Sequence, residues 1–183
     1  METEEKPRDY AFLMIDYEMP NFVKKIQKGI KEDELYTEEG NEDYGLEKQC
    51  HVTVAACLDN DIDVEKLKKL LPLSIDCYGA FCTNISKFEN EDFDVLKCSI
   101  CCDILNLTHN RIAKNFPLHT EFKEFKPHLT IAYMKKGMAD KYLQDTLPSL
   151  PHLKPICFHF TYHEKKNGKE KSVIWKKGSE KGL

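Results

Sequence analysis

Apolar residues in this chain fall mostly into short runs bounded by turn residues, a pattern typical of strands. The first run is YAFLMIDY at 10–17, which ends before the turn at Pro20. In DFDVLKCSICC at 92–102, every second residue from Leu96 onward is apolar, as in a half-buried strand. Further strands are predicted at 49–58, 73–82, 128–134, 155–163 and 172–177, and a short strand or turn at 86–90. An Asn-Gly turn within 167–169 is expected to join the last two.

Helical spacing of apolar residues marks the segments between these runs. The segment 21–30 is predicted to be a helix with Asn21 as its N-cap. Asp63 is expected to cap a second helix, which ends at Leu71. Two further helices are predicted at 104–116 and 140–147. Strands and helices in this order predict an α+β protein with a mostly antiparallel sheet.

The length of 183 residues fits a single domain with a buried core. We expect 1–9 to be a disordered acidic leader, 10–177 to form the domain and 178–183 to be a flexible tail. No apolar run approaches the about 20 residues of a transmembrane helix, and the acidic start lacks the features of a signal peptide. These features predict a cytoplasmic protein that does not bind membranes.

Eight cysteines are present, and most lie in apolar, strand-like runs. Without a secretion signal they are expected to be reduced thiols that pack as small apolar residues. Zinc is the alternative, because Cys98 and Cys101 have a C-x-x-C spacing, but a structural zinc site usually needs a second such pair. The sequence therefore predicts no metal and no cofactor.

The net charge is −4 and the isoelectric point is near 6.0. An acidic protein is a poor electrostatic match for the phosphates of long nucleic acid. Tight binding to long DNA or RNA is therefore not expected, although a small anionic ligand remains compatible with this charge.

Two predicted strands begin with the same phrase, HVTVAAC at 51–57 and HLTIAYM at 128–134. Side chains two apart on a strand face the same way, so His51 and Thr53 share one face. His128 and Thr130 repeat the arrangement. One His-x-Thr is common by chance, whereas two copies inside apolar strands are not. The repeat predicts two related lobes with one motif strand in each.

The repeated motif suits the cleavage of a phosphodiester if the two strands lie side by side. Two imidazoles that titrate near neutral pH can serve as a general base and a general acid. Two threonine hydroxyls can donate hydrogen bonds to phosphate oxygens and stabilise the charge that develops there. This chemistry needs no metal, and the pattern alone does not say which histidine is the acid and which is the base.

The paired HxT motifs and the order of elements over about 10–177 resemble the 2H phosphoesterase superfamily, also called LigT-like. The resemblance implies a bilobal α+β fold with two antiparallel-sheet lobes around a central cleft. It also implies that His51 and His128 transfer protons and that Thr53 and Thr130 bind the phosphate.

Four stretches are similar to the phage and viral branch of that superfamily, namely YAFLMIDY, HVTVAACL, FENEDFDVLKC and FKPHLTIAYMKKG. The resemblance implies an anti-CBASS-type enzyme that cleaves 3′–5′ linkages of cyclic oligonucleotide immune messengers such as cGAMP. A viral enzyme of this kind would counter host nucleotide signalling in the host cell cytoplasm. The expected partner is a small cyclic or 2′,5′-linked oligonucleotide, and the protein is expected to be a monomer.

Other functions remain open at this stage. The chain could be an RNA-processing 2′,3′-cyclic phosphodiesterase, a 2′,5′-oligoadenylate phosphodiesterase, a metal-dependent hydrolase or a non-catalytic binder that sequesters a nucleotide. For any nucleotide ligand, Tyr10 and Trp175 are the aromatic residues predicted to stack on its bases.

Overall fold

The computed structural model describes residues 10–72, 74–163 and 169–175. The predicted leader at 1–9, the predicted tail at 178–183 and the Asn-Gly turn lie outside these residues. No helix in the described ranges is long and apolar enough to cross a membrane.

Eight strands and three α-helices form the described part of the chain. The strands are β1 (Tyr10–Tyr17), β2 (His51–Asp59), β3 (Ala80–Glu89), β4 (Phe93–Cys101), β5 (His128–Lys135), β6 (His152–Leu153), β7 (Pro155–His163) and β8 (Glu170–Trp175). The helices are α1 (Asn21–Gly29), α2 (Val64–Lys69) and α3 (Asp103–Asn115). Short 3₁₀ helices occur at Glu32–Glu34, Ile75–Tyr78 and Asp140–Tyr142.

The strands form one antiparallel sheet in the order β6-β3-β4-β5-β2-β1-β7-β8. Its centre is the junction of the two motif strands, β5 and β2, which pair only through Val52 and Leu129. Each motif strand is the inner edge of a four-stranded half. The predicted α+β class with two antiparallel lobes is therefore confirmed, and the lobes are the two halves of one sheet.

The apolar core lies on one face of this sheet and beneath the helices. Ile15, Val52 and Leu129 on the central strands are fully buried there. Each helix contributes to the same cluster, α1 through Val23, α2 through Leu67 and α3 through residues that include Leu105. The opposite face of the central strands carries their polar side chains.

A buried carboxylate ties together the outer elements of the β5 half. Asp94 in β4 is fully buried and lies 3.3 Å from the ammonium groups of both Lys87 and Lys136. It also accepts a hydrogen bond of 2.9 Å from the amide of Gly137. Burial alone would raise the pKa of Asp94, but these contacts lower it below its ordinary value. The ionised carboxylate therefore fastens β3 and the turn after β5 to β4.

Of the two helix caps predicted from the sequence, that of α1 is wrong and that of α2 is confirmed. Asn21 is the first helical residue, and Pro20 before it occupies the N-cap position without a side-chain hydrogen bond. Asp63 caps α2 as predicted, since its side chain accepts a hydrogen bond from the amide of Lys66. All eight cysteines are free thiols.

The strand predicted at 73–82 is wrong over 74–79, for a local reason, and the helix predicted at 140–147 is wrong for a tertiary one. In the first, Ser74 accepts a hydrogen bond from the amide of Asp76 and starts a 3₁₀ helix, so β3 begins only at Ala80. In the second, the backbone of Gln144 exchanges two hydrogen bonds with Ile85 and leaves one 3₁₀ turn. The two-residue strand β6 was too short to be predicted.

Candidate active site

The four motif residues lie at the junction of the two halves. The antiparallel register that pairs Val52 with Leu129 places His51 across from Thr130 and Thr53 across from His128. Val52 and Leu129 are fully buried in the core, whereas the four motif residues are partly exposed. The structure therefore brings the four together on one face of the sheet, which we call the motif face.

The neighbouring strands extend this polar junction into two rows across the sheet. The first row contains Ser86, Lys97, Thr130, His51, Asp16 and Cys157. The second row contains Asn84, Ser99, His128, Thr53, Met14 and His159. A pseudo-twofold axis through the pair of motif strands exchanges the two halves, but the flanking side chains differ in charge.

A backbone contact sets the tautomer of His128. Its Nδ1 lies 2.9 Å from the carbonyl oxygen of Lys126, and a carbonyl can only accept, so Nδ1 carries a proton. Nε2 is then the nitrogen available for proton transfer. Burial lowers the pKa of His128; the Lys126 hydrogen bond opposes this, and the positive charges of Lys97 and His51 add to it. The Phe88 ring and the imidazole form a T-shaped pair with 4.8 Å between ring centroids.

His51 has a different environment from its counterpart. Its Nδ1 is buried and makes no hydrogen bond with any described residue. Asp16 stands across from it on β1, and the Asp16 carboxylate lies 3.3 Å from Nδ1 of His159. The Cys157 thiol donates to the same carboxylate at 3.5 Å. A carboxylate therefore flanks His51, whereas Ser99 flanks His128.

Neither predicted stacking residue lies beside the motifs. Tyr10 is at the far end of β1, six residues or about 20 Å from Asp16, and its ring stacks on His119 with 5.5 Å between centroids. Trp175 pairs with Phe158 on the core face and stacks on its ring at 5.5 Å. The structure thus places Trp175 on the opposite face of the sheet, because its register follows the buried residues of β7.

Aromatic residues that sequence reasoning missed lie closer to the motifs. An extra residue in β5, between Thr130 and Ala132, places Tyr133 on the motif face opposite Val95. Its ring belongs to a cluster of four partly exposed rings, in which neighbouring centroids lie 4.8–5.9 Å apart. The other members are Tyr36, Tyr44 and Phe93.

Lys97 is the other residue that the sequence reasoning missed. It pairs with Thr130 and is 7% exposed, so an ammonium group is buried beside the phosphate-binding candidate. A signal existed, because the apolar alternation of β4 from Leu96 leaves Lys97 and Ser99 together on the other face. Among the described residues, no three His, Cys, Asp or Glu side chains converge to form a metal site.

No family model matches this chain, and no curated protein matches its sequence. Its structure is similar to that of TT0787 of Thermus thermophilus, with 16% identity and a TM-score of 0.53 over 92% of this chain and 96% of that one. It is also similar to Kluyveromyces marxianus Usb1, with 8% identity and a TM-score of 0.53 over 92% of this chain and 99% of that one.

Escherichia coli LigT in complex with NADP+ aligns over 93% of this chain and 96% of its own, with 15% identity and a TM-score of 0.46. Together with the sheet order, the similarities to TT0787 and Usb1 concern the fold, at identities too low to carry residue roles. The predicted α+β fold with two antiparallel-sheet lobes is thereby confirmed, and this chain shares its fold with TT0787 and Usb1.

Proposed function

We propose that this protein is a metal-independent phosphodiesterase of the 2H type. The observation that carries the proposal is the register of β2 and β5, which gathers two imidazoles and two hydroxyls on one partly exposed face. Two groups that can exchange protons and two neutral donors form the minimum set for moving a proton and holding a phosphate.

In the proposed reaction, one histidine takes the proton from a hydroxyl that attacks the phosphorus. The other histidine gives a proton to the oxygen that leaves as its bond to phosphorus breaks. Thr53 and Thr130 donate hydrogen bonds to the non-bridging oxygens, whose negative charge increases in the transition state. Each Thr lies directly across from the His of the other motif strand, so both hydroxyls can donate to one phosphate bound between the two imidazoles.

For the substrate, we propose a small cyclic oligonucleotide messenger such as cGAMP. The ribose 2′-OH beside a 3′–5′ linkage would be the nucleophile, and a 2′,3′-cyclic phosphate would be the first product. The net charge of −4 disfavours long nucleic acid, and the rings around Tyr133 offer a surface on which bases can stack. The resemblance of the motif strands to viral enzymes supports a role against host nucleotide signalling in the cytoplasm of an infected cell.

We also propose that the protein works as a monomer, since all four motif residues come from one chain. The second candidate function is the processing of RNA ends or of 2′,5′-oligoadenylate, which the same four residues would support. Both functions use the same four residues, and an assay on a panel of substrates distinguishes them.

The deciding assay incubates the protein in EDTA with 2′,3′-cGAMP, 3′,3′-cGAMP, 2′,5′-oligoadenylate and an RNA ending in a 2′,3′-cyclic phosphate, with products identified by mass. A His51→Ala, His128→Ala double variant should lose all turnover. A His152→Ala variant is the matched control, because His152 is an exposed histidine outside the motifs.

Cleavage of a cyclic dinucleotide by the wild-type protein supports the messenger-destroying role. Cleavage of only the RNA end or the 2′,5′ chain replaces that role with the second function. Binding without any turnover would identify a sequestering protein and refute the enzymatic proposal, and activity abolished by EDTA would refute its metal independence.

A further inference from the structure

Lys97 is a buried cation for which the described part of the chain provides no carboxylate partner. The residue is 7% exposed, and its Nζ donates to the hydroxyls of Ser86 and Ser99 at 2.7 and 3.5 Å. The same ammonium lies 4.4 Å from the centre of the Phe88 ring. Burial of an ammonium group without a counter-charge is unfavourable, and neutral hydroxyls and a ring offset only part of that cost.

Another lysine on the neighbouring strand shows what a structural cation looks like in this fold. Lys87 in β3 lies within 3.3 Å of carboxylates from three residues. These are Glu89, Asp94 and Asp140. Lys97 is a buried residue and yet has only neutral partners, so its position points to an anion that comes from outside the chain.

The location of Lys97 identifies where that anion would lie. Lys97 is the cross-strand neighbour of Thr130, and Ser99, which contacts its ammonium, is the neighbour of His128. Lys97 and His128 also contact the same ring, Phe88. In the other half of the sheet the neighbour of Thr53 is Met14, so the cation is present on one side of the site only.

We propose that Lys97 is a fifth residue of the active site, which binds an anionic phosphate oxygen beside Thr130. The charge of Lys97 also keeps the imidazole of His128 neutral, so that His128 acts as the base and His51 as the acid. This inference rests on the proposed phosphodiesterase function. In the reaction, Nε2 of His128 accepts the proton of the attacking hydroxyl, and that oxygen forms a bond to phosphorus. The bond from phosphorus to the leaving oxygen breaks, and the His51 imidazolium supplies the proton that this oxygen takes up.

The charged groups around His128 agree with this division of roles. Lys97 faces it from β4 and His51 from β2, while Lys126 supplies the carbonyl that holds Nδ1–H. Burial first, and then the charges of Lys97 and His51, lower the pKa of His128 against the opposing effect of that hydrogen bond. A base must be neutral, so kcat/KM is expected to rise with pH through this lowered pKa. Removal of the Lys97 charge should raise the pKa of His128 and move the acid limb of the pH profile to higher pH.

The test compares wild type, Lys97→Met, Lys97→Arg and the control Lys69→Met. Methionine approximates the length of the side chain without its charge, and Lys69 is an exposed lysine of α2 whose loss changes the net charge equally. Two readouts need no turnover: the NMR titration of the His128 imidazole and the affinity for inorganic phosphate. In Lys97→Met we expect a higher His128 pKa and phosphate binding weakened about tenfold or more, the loss typical of a charge-assisted hydrogen bond. Lys97→Arg should retain part of the affinity, and Lys69→Met should match wild type.

One arm of the experiment uses only the wild-type protein, so it decides the question even if Lys97→Met does not fold. With lysine side chains labelled for NMR, phosphate should shift the Lys97 ammonium signal and leave that of Lys69 unchanged. If phosphate shifts no signal of Lys97, or if Lys97→Met leaves both phosphate affinity and the His128 titration unchanged, the inference is overturned. If phosphate binding depends on Lys97 but no phosphodiester is cleaved, the anion site stands and the proposed function fails instead.

Discussion

Replacement of Leu129 by alanine tests whether the single strand pair that joins the two halves of the sheet positions the reacting groups. Leu129 lies between His128 and Thr130 in sequence, is 0% exposed and pairs with Val52 across the junction. The matched control is Leu58→Ala, because Leu58 is also 0% exposed and lies on motif strand β2, but seven residues after His51.

Both substitutions replace a fully buried leucine by alanine, so both should lower the free energy of unfolding by about 3 kcal/mol. A domain of this size typically has about 5–15 kcal/mol of stability, so both variants should remain folded at 25 °C. Their activities should differ, because a misplacement of about 1 Å in a reacting group can cost about 100-fold in rate. We expect Leu129→Ala to lose at least about tenfold in kcat/KM and Leu58→Ala to stay within about threefold of wild type.

Urea denaturation followed by circular dichroism gives the stability change, and initial rates on the substrate found in the panel give kcat/KM. Equal activity losses at equal stability losses would refute the idea that the Val52–Leu129 pair sets the site geometry. A stability loss below about 1 kcal/mol for Leu129→Ala would contradict the burial on which the reasoning depends.

Three further predictions concern the donors, the aromatic surface and the buried carboxylate. Thr53→Val should lower kcat/KM about 100-fold with an unchanged urea midpoint, as the loss of one donor to a developing oxyanion does; a change below threefold would exclude a direct contact with phosphate. In steady-state kinetics, Tyr133→Leu should raise KM about fivefold or more, whereas Trp175→Leu, on the core face, should leave KM unchanged. The reverse result would favour Trp175 as the residue that stacks on bases. Asp94→Asn should destabilise the fold by about 3 kcal/mol at pH 7. The folded-state pKa of Asp94 is lowered, so that stabilisation is fully present above the unfolded value of about 3.9 and is lost as pH falls through the lower folded-state pKa. Urea curves of wild type and variant should therefore converge in acid, and curves that stay parallel would contradict the ionised pairing.

The sequence was sufficient for the elements whose pattern is local. Strands β1, β2, β4, β5 and β7 appear where alternation or apolar runs predicted them, β1 and β7 with the predicted ends and the others with ends displaced by at most two residues. The motif pairs could be located because a period of two assigns side chains to faces without any knowledge of strand order. The capping role of Asp63 likewise follows from neighbours within one turn.

Other features depended on contacts that the sequence does not show. The backbone of Gln144 bonds to Ile85, far away in the chain, and this replaces the predicted helix at 140–147. The role of Tyr133 depends on an extra residue in β5 relative to β4. Strict alternation from Thr130, without that extra residue, would place Tyr133 on the core face. The face of the sheet on which Trp175 lies depends on its register with Phe158, which the sequence does not show. The alternation of β4 places Lys97 on the polar face, but its position beside Thr130 and neutral hydroxyls depends on a strand order that the sequence does not show.

The most direct test of the central claim is the comparison of His51→Ala, His128→Ala and the double variant on one phosphodiester substrate in EDTA. If both imidazoles act in one reaction, each single variant should lose at least about 1,000-fold in kcat, and the double variant should be no slower than the slower single variant. A single variant that keeps near wild-type kcat, or losses that multiply in the double variant, would contradict a shared site at the junction of β2 and β5.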